Sequence, residues 1–261
     1  GDGDFDGRTS AGEAQPRVAV FRPDDERLTE AIDLLETLGA DPLPDPMLAV
    51  EPTGATPRTD AEYTIFTSKT GAEIVEDAGW QAPAATRLCA IGETTATALE
   101  MAGYGVAEVP EEFSSRGLVD HLGDAVEGRR VEVARSDHGS EVLIEGLEAL
   151  GAYVHETVLY RLVRPPEAGD SVTATADGDV DAVLFTSSLT VEHFLDVARD
   201  RGQEETVRSG LEDAVVGAIG APTRETAVAL GIDVDVVPET ADFEALAEAV
   251  LDEFAGAVEI N

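Results

Sequence analysis

Short apolar runs alternate with helical patterns of apolar residues along most of the chain. The run VAVF at 18–21 predicts a β-strand, and apolar residues from Leu28 to Leu38 recur at the three- to four-residue spacing of a helix face. Gly39 follows, where glycine commonly caps a helix. Further strands are predicted at 61–66, 88–91 and 106–109, with helices after Lys69, Gly92 and Ser114. This order is typical of parallel sheets covered on both faces.

Motifs of the first half return in the same order in the second half. RVAVFRP (17–23) returns as RVEVARS (130–136), IFTS (65–68) as LFTS (184–187), AIG (90–92) as AIG (218–220), and VPE (109–111) as VPE (237–239). We infer a duplicated α/β unit of about 115–125 residues. Spacing alone would place the boundary between the halves near Gly128.

Two segments interrupt the alternation. Residues 41–50 (DPLPDPMLAV) contain three prolines, which lack the N–H that a sheet interior requires, so this segment is predicted to be an edge or a bridge. Its counterpart, 153–163 (YVHETVLYRLV), is a long extended run rich in valine and tyrosine. We interpret both as connectors between two domains, an arrangement that still permits relative motion.

Charge narrows the range of partners. The 261 residues include 17 Lys and Arg against 54 Asp and Glu, which gives a net charge of −37. A surface this acidic repels nucleic acid and anionic membranes, so we expect neither as a partner. Lysine occurs only at Lys69. The composition is typical of a halophilic archaeon with molar salt in its cytoplasm, and an acidic mesophilic protein is the alternative.

The cysteine content and the N-terminal segment bear on location. A single cysteine, Cys89, excludes an internal disulfide framework and favours a reducing, cytoplasmic setting. No apolar run reaches the roughly 18 residues of a membrane span, and residues 1–16 lack the regions of a signal peptide, so we interpret them as a disordered leader. Within that leader, a solvated tail is a simpler interpretation than a calcium loop, although the spacing matches one at Asp2, Asp4, Asp6, Gly7, Ser10 and Glu13.

The joint order of several turns resembles the uroporphyrinogen-III synthase family, from Arg17 to about Phe254. It consists of an FTS turn (66–68), an AIGxTT turn (90–95), a VP turn (109–110), an arginine-flanked strand (130–135), an extended segment with a tyrosine, and then the FTS and AIG turns again. The resemblance implies an α/β fold of two doubly wound parallel-sheet domains, flavodoxin- or Rossmann-like, joined by a two-stranded linker. It implies one discontinuous domain at 17–41 and 166–257, linker strands at 42–50 and 154–165, and a second domain at 51–153.

The resemblance also implies a reaction. Hydroxymethylbilane, a linear tetrapyrrole with eight carboxylates, is cyclised to uroporphyrinogen III with inversion of ring D and loss of water. Because electron-rich pyrroles supply their own nucleophilicity, no metal or redox cofactor is expected, and the task of the protein is mostly positioning. We expect a cytoplasmic monomer that receives its substrate from hydroxymethylbilane synthase.

Polar turns at the ends of strands are the candidate substrate contacts. In doubly wound folds, ligands lie beyond the carboxyl ends of the strands, where helix N-termini offer free N–H groups to carboxylates. The candidates are Ser68, Lys69, Thr70, Thr94, Thr95, Ser187, Ser188 and Thr223. The alternative is that these residues only cap helices, or, for Lys69, that it is an exposed residue at a helix start. Pro222 stands where the family has a threonine, which puts a contact from that position in doubt.

Three further residues complete the predicted site. Arg22 and Arg135 end matching strands, and each pairs either with a substrate carboxylate or with an acid of its own chain. Tyr160 matches the linker tyrosine that the resemblance places over the cleft between the domains, where its phenol would assist departure of the hydroxyl. The alternative is a linker tyrosine that packs its ring.

Other classes of function share this architecture. A non-catalytic two-domain module that closes on a small anion would show the same sequence pattern. So would a regulatory domain that kept the fold and lost catalytic turnover. The linker tyrosine and the Ser/Thr turns favour the enzyme. The turns contain neither GxGxxG nor GxxxxGK[ST], so dinucleotide and nucleoside-triphosphate binding lack their usual support.

Overall fold

The computed structural model describes residues 15–260. Within residues 15–260 the chain forms two compact units: unit 1 contains 15–49 and 164–260, and unit 2 contains 50–163. The calcium-loop pattern from Asp2 to Glu13 lies outside the described residues, as does the predicted leader 1–16 apart from its last two residues. Within residues 15–260, no helix is long and apolar enough to cross a bilayer.

Unit 1 is built on a four-stranded sheet. Its elements are β1 (Arg17–Val20), α1 (Glu26–Thr37), β2 (Asp41–Pro44), α6 (Asp170–Ala176), β9 (Ala182–Phe185), α7 (Ser188–Asp200), α8 (Glu204–Asp213), β10 (Val215–Ala218), α9 (Ala221–Ala229) and α10 (Phe243–Ile260). The strand order is β10-β9-β1-β2, and the three strand pairs of this sheet are parallel. Strand β1 therefore lies between β2, which follows it in sequence, and β9, which comes from the C-terminal part of unit 1.

Both faces of the unit 1 sheet are covered, because successive side chains of a strand point to opposite faces. Val18 and Val20 of β1 pack with α1 and α10, whereas Ala19 and Phe21 pack with α6, α7 and α8. Because both faces are covered, the strand is apolar from Val18 to Val20 and does not alternate between apolar and polar residues.

Unit 2 is built on a six-stranded sheet. Its elements are β3 (Ala49–Pro52), β4 (Tyr63–Phe66), α2 (Lys69–Asp77), β5 (Arg87–Ala90), α3 (Glu93–Met101), β6 (Val106–Glu108), α4 (Ser115–Leu122), a 3₁₀ turn (Gly123–Val126), β7 (Arg130–Ser136), α5 (Glu141–Ala149) and β8 (Tyr153–Val163). The strand order is β3-β8-β7-β4-β5-β6. Helices α2 and α3 cover one face, and α4 and α5 cover the other.

The predicted class, α/β with doubly covered parallel sheets, is confirmed in each unit. A boundary near Gly128, which repeat spacing suggested, would divide one sheet, because β7 pairs with β4 from Tyr63↔Val131 to Phe66↔Ala134. The prediction of a linker strand at 42–50 is wrong for 42–44, since these residues lie in β2, which pairs with β1 within unit 1. Its prolines are tolerated there because β2 is an edge strand.

A buried carboxylate fixes the segment after β2 inside unit 1. Asp45, 5% exposed, accepts hydrogen bonds from the backbone N–H groups of Gly169 and Ser171 at 3.1 and 3.0 Å, and from the Ser171 hydroxyl. It thereby satisfies free donors at the start of α6. The N-terminal third of unit 1 is thus joined to its C-terminal part by polar contacts as well as by β1.

We predict that Asp45→Ala lowers the free energy of unfolding of unit 1 by about 2 kcal/mol or more, because buried donors at α6 lose their acceptor. Denaturant titration in molar KCl measures the change. Asp24→Ala is the control, since Asp24 is exposed and its replacement should change stability by less than about 0.5 kcal/mol. Equal effects of the two substitutions would contradict the capping role.

Candidate functional site

The carboxyl edge of the unit 2 sheet brings together two residues of the predicted site. The Tyr160 hydroxyl and Ser68 Oγ lie 2.8 Å apart, in a hydrogen bond in which either oxygen can donate. Ser68 Oγ also accepts the backbone N–H of Gly71 at 3.0 Å, so it caps the N-terminus of α2. Tyr160 is 6% exposed and packs in the core between the sheet and α2 and α3. The phenol oxygen therefore lies beside a helix N-terminus, and the ring is held by packing.

A shift in strand register puts Tyr160 on this face. β7 and β8 pair regularly up to Arg135↔Val158, and then Ser136 pairs with Tyr160. The extra residue, Leu159, makes a bulge, after which side chains no longer alternate as before. Leu159 and Tyr160 consequently contribute to the same core, although neighbouring residues of a regular strand would face opposite sides.

The N-terminus of α3 offers donors without a side-chain cap. Its N-cap is Gly92, which supplies no side-chain acceptor. Thr94 is exposed, whereas Thr95 is buried, and among residues 15–260 neither hydroxyl has a hydrogen-bond partner. The backbone N–H groups of this first turn are therefore free to bind an anion.

Lys69 lines a groove of about 350 Å³ together with one face of α3. The Lys69 side chain is exposed, and its ammonium lies 3.7 Å from the Glu73 carboxylate one turn further along α2. Thr70, the next residue, is half-buried. The groove contains two predicted contacts, Lys69 and Thr94, and its other lining residues are Glu93, Thr97, Ala98 and Met101.

Unit 1 repeats this pattern at its own carboxyl edge. Ser187 caps α7 in a reciprocal box with Thr190, as Ser68 caps α2. Ser188 Oγ donates to the Pro222 carbonyl at 3.3 Å and accepts from the Thr226 hydroxyl at 2.8 Å, so the starts of α7 and α9 are adjacent. Like α3, α9 begins at a glycine, Gly220, with no side-chain cap.

The third residue of α9 is Thr223, which is buried, as Thr95 is in α3. Pro222 has no N–H, so the start of α9 offers one donor fewer than the start of α3. A contact from residue 222 through the backbone N–H is thereby excluded.

The two candidate arginines have different surroundings. Arg135 is 3% exposed, and its guanidinium donates to Glu156 Oε2 through Nε and Nη2 at 3.0 and 2.6 Å, and to the Ser140 carbonyl. Of the two partners considered for Arg135, a substrate carboxylate or an acid of its own chain, the structure therefore contains the second, Glu156. Arg22 is half-buried, its guanidinium lies 4.6 Å above the Phe243 ring, and its Nε is buried without a hydrogen-bond partner. Burial lowers the pKa of the Arg22 guanidinium.

Other reactive side chains of the described part of the chain are engaged or inert. Burial raises the pKa of the Cys89 thiol to about 12, so Cys89 is no thiolate nucleophile at neutral pH. His121 and His155 contact the carboxylates of Glu108 and Glu132, and His193 contacts the Met47 carbonyl. Within residues 15–260, no group of three His, Cys, Asp or Glu side chains is arranged to hold a metal ion.

Two aromatic residues at the carboxyl edges of the sheets are not among the residues predicted from the sequence. Phe113 is 60% exposed and lies against Gly92, where a Cβ would be 3.2 Å from the phenylalanine side chain. Phe243 lies beneath Arg22. The internal repeat could have indicated Phe113. The motif VPE at 109–111 returns at 237–239, which aligns Phe113 with Ala241, and Ala241 lies near Gly220 as Phe113 lies near Gly92. Nothing in the sequence paired Phe243 with Arg22.

Comparison with known proteins identifies the family of the chain. Residues 29–248 match the family described as uroporphyrinogen-III synthase HemD. A protein of Methanothermobacter thermautotrophicus, provisionally named a uroporphyrinogen-III synthase, is 34% identical over 218 residues, which are 78% of this chain and 85% of that protein. A protein of Archaeoglobus fulgidus with the same provisional name is 28% identical over 89% of this chain and 96% of its own length.

Solved structures share the fold. A mutant uroporphyrinogen III synthase of the extremely thermophilic bacterium Thermus thermophilus aligns with a TM-score of 0.63 and 22% identity, over 94% of this chain and 100% of that one. The uroporphyrinogen-III synthetase of Helicobacter pylori aligns with a TM-score of 0.62 and 16% identity, over 95% and 100%. At these identities, the structures support the fold alone. The family match and the archaeal relatives decide membership: the chain belongs to the uroporphyrinogen-III synthase family.

Proposed function

We propose that this chain carries out the family's reaction at the carboxyl edges of its sheets, with Tyr160 as the proton donor. As a member of the family, the chain cyclises hydroxymethylbilane in tetrapyrrole biosynthesis. The product is uroporphyrinogen III, in which ring D is inverted, and one water is lost. The proposal concerns which residues perform this task.

The hydrogen bond between Ser68 and Tyr160 carries the proposal for the chemistry. Ser68 Oγ accepts the Gly71 N–H, which leaves its own O–H free to donate to the Tyr160 oxygen. The Tyr160 proton then points to the departing hydroxyl of the bilane, which leaves as water. The Ser68 hydroxyl and the positive end of α2 stabilise the phenol oxygen when it has given up its proton.

Binding of carboxylates is assigned to amides more than to side chains. The starts of α3 and α9 have no side-chain cap, so their N–H groups attract carboxylates in spite of the net charge of −37. We place Thr94, Thr95 and Thr223 there, and Lys69, Thr70, Ser187 and Ser188 at the starts of α2 and α7. Arg22 supplies a guanidinium, whereas Arg135 is retained only as a support of β7, because Glu156 neutralises it.

We also propose the domain division and the setting of the enzyme. Domains at 17–41 with 166–257 and at 51–153 are supported by the two compact units. A halophilic archaeal source is supported by the excess of acid and by the single lysine. The single, buried Cys89 supports a reducing cytoplasm. Without an enzyme, hydroxymethylbilane closes to uroporphyrinogen I, which is the wrong isomer. We therefore propose that the chain, as a monomer, accepts hydroxymethylbilane directly from its synthase.

We expect freshly made hydroxymethylbilane to yield uroporphyrinogen III when it is incubated with the protein in molar KCl, with chromatography separating isomers I and III. Tyr160→Phe should lower kcat about 10- to 100-fold, because the variant lacks the proton and water replaces it only in part. Circular dichroism verifies that the variant is folded. Isomer I as the sole product of the wild-type protein would refute the function, and unchanged kcat in the variant would remove Tyr160 from the mechanism.

Salt should increase both activity and stability. Protein and substrate are anionic, so the field of the protein opposes their encounter at low ionic strength, where the Debye length is about 30 Å at 10 mM. At 1 M salt this length is about 3 Å, and only the nearby amides and arginines act on the substrate. We expect kcat/KM and Tm to rise from about 0.1 M to above 1 M KCl.

The two effects of salt are separated at a temperature at which the protein is fully folded at both salt concentrations. If kcat/KM is flat or falls with salt under these conditions, the global field does not oppose the substrate.

A further inference from the structure

Eight of the fifteen arginines among residues 15–260 have a carboxylate partner. Arg27 pairs with Asp25 at 2.6 Å, Arg87 with Glu108 at 2.8 Å, and Arg164 with Asp200 at 2.8 Å. The same holds for Arg129, Arg130, Arg135, Arg199 and Arg208. With 54 acids for 17 bases, an arginine whose buried Nε has no hydrogen-bond acceptor requires an explanation.

Arg22 is such a residue. Among residues 15–260, no carboxylate lies within ion-pair distance of its guanidinium, and its buried Nε donates to nothing. One of the neighbouring acids, Asp25, is occupied by Arg27, which binds it through Nε and Nη2. A buried donor without an acceptor is costly, so native proteins leave few of them. An acceptor from outside the chain would bind the part of the Arg22 side chain that remains exposed.

The Phe243 ring packs on the Arg22 side chain. Its centroid lies 4.6 Å from the guanidinium carbon, so the ring covers one face of the planar group. Phe243 is the first residue of α10, and Arg22 directly follows Phe21 at the carboxyl end of β1. The stack therefore lies at the edge where the strands of unit 1 end.

We infer that Phe243 is a positioning residue that holds the Arg22 guanidinium flat and unpaired, so that the guanidinium binds a carboxylate of the tetrapyrrole. This inference rests on the proposed function and extends it to a residue outside the predicted site. Burial lowers the pKa of the Arg22 guanidinium and the nearby Arg27 acts in the same direction, whereas Asp25 and Glu30 oppose this shift. A bound carboxylate would pair directly with the guanidinium through two parallel N–H···O bonds.

The test compares two phenylalanines of the same helix. Phe243 and Phe254 are both partly buried in α10 and pack on the same core, but only Phe243 contacts Arg22. We expect Phe243→Leu to raise KM for hydroxymethylbilane about three- to tenfold at unchanged kcat, because a cation–π contact that orders the guanidinium is lost. Phe254→Leu should leave KM unchanged, and Phe243→Tyr should restore it.

A double-mutant cycle separates positioning from packing. Arg22→Gln should raise KM about 10- to 100-fold, and Phe243→Leu should add nothing in the Arg22→Gln background. Equal KM values for the Phe243→Leu and Phe254→Leu variants, or a full effect of Phe243→Leu in that background, would overturn the inference. Phe243→Met replaces Phe243→Leu if circular dichroism shows that the leucine variant is unfolded.

A binding measurement keeps the inference separate from turnover. Uroporphyrin III, a stable octacarboxylate, serves as a fluorescent probe, and its Kd in molar KCl should rise in the Arg22→Gln and Phe243→Leu variants but not in the Phe254→Leu variant. If the wild-type protein forms only isomer I, the proposed function fails, while these Kd values still decide whether Phe243 acts through Arg22. Unchanged Kd values in the Arg22→Gln and Phe243→Leu variants would refute the positioning role.

Discussion

Parallel pairing of the strands is the constraint on which the candidate site depends. Because strands that pair in parallel run the same way, their carboxyl ends meet at one edge of each sheet, and the helices that follow begin there. Among these helices, α2, α3, α7 and α9 begin at turns with small or hydroxylated residues. An acidic chain can bind an anionic substrate under this constraint, since backbone amides supply the positive potential.

The duplicated chain uses two kinds of helix start, and their chemistry differs. Ser68 and Ser187 cap α2 and α7 with side-chain oxygens, which satisfies donors inside the protein. Gly92 and Gly220 leave the starts of α3 and α9 uncapped, so donors there remain available to a ligand. Among these four helices, each unit has one start capped by a serine and one that follows a glycine, and in unit 2 the Ser68-capped start holds Tyr160.

Much of this arrangement was predictable from the residues. The apolar runs around Val18 and Ile65 and the glycine and serine turns predicted parallel sheets covered on both faces, because periodicity and capping are local properties. The positions of the polar turns followed from that topology. The role of Tyr160 came from resemblance to a family, and the contact with Ser68 is the observation that gives it a physical basis.

Other features depend on contacts that no local pattern encodes. The bulge at Leu159 shifts Tyr160 onto the face of α2, and a register shift leaves no mark in the alternation of VLYRL. Which arginine is paired depends on tertiary neighbours: Arg22 and Arg135 end similar strands, yet Glu156 neutralises one and Phe243 stacks on the other. Dependence on tertiary neighbours also explains why 41–44 was expected in a connector. Its prolines argued against the interior of a sheet, but pairing with β1 stabilises it as an edge strand.

We propose that Ser68 and Tyr160 act as one proton-donating pair, and a double-mutant cycle on kcat measures their coupling. Ser114→Ala is the matched control, because Ser114 caps α4 through the Gly117 N–H as Ser68 caps α2 through the Gly71 N–H. We expect Ser68→Ala to lower kcat, Ser114→Ala to leave kcat unchanged, and the Ser68→Ala/Tyr160→Phe protein to be no slower than Tyr160→Phe alone. Losses that multiply in the double variant would show that the two hydroxyls act independently and not as a pair.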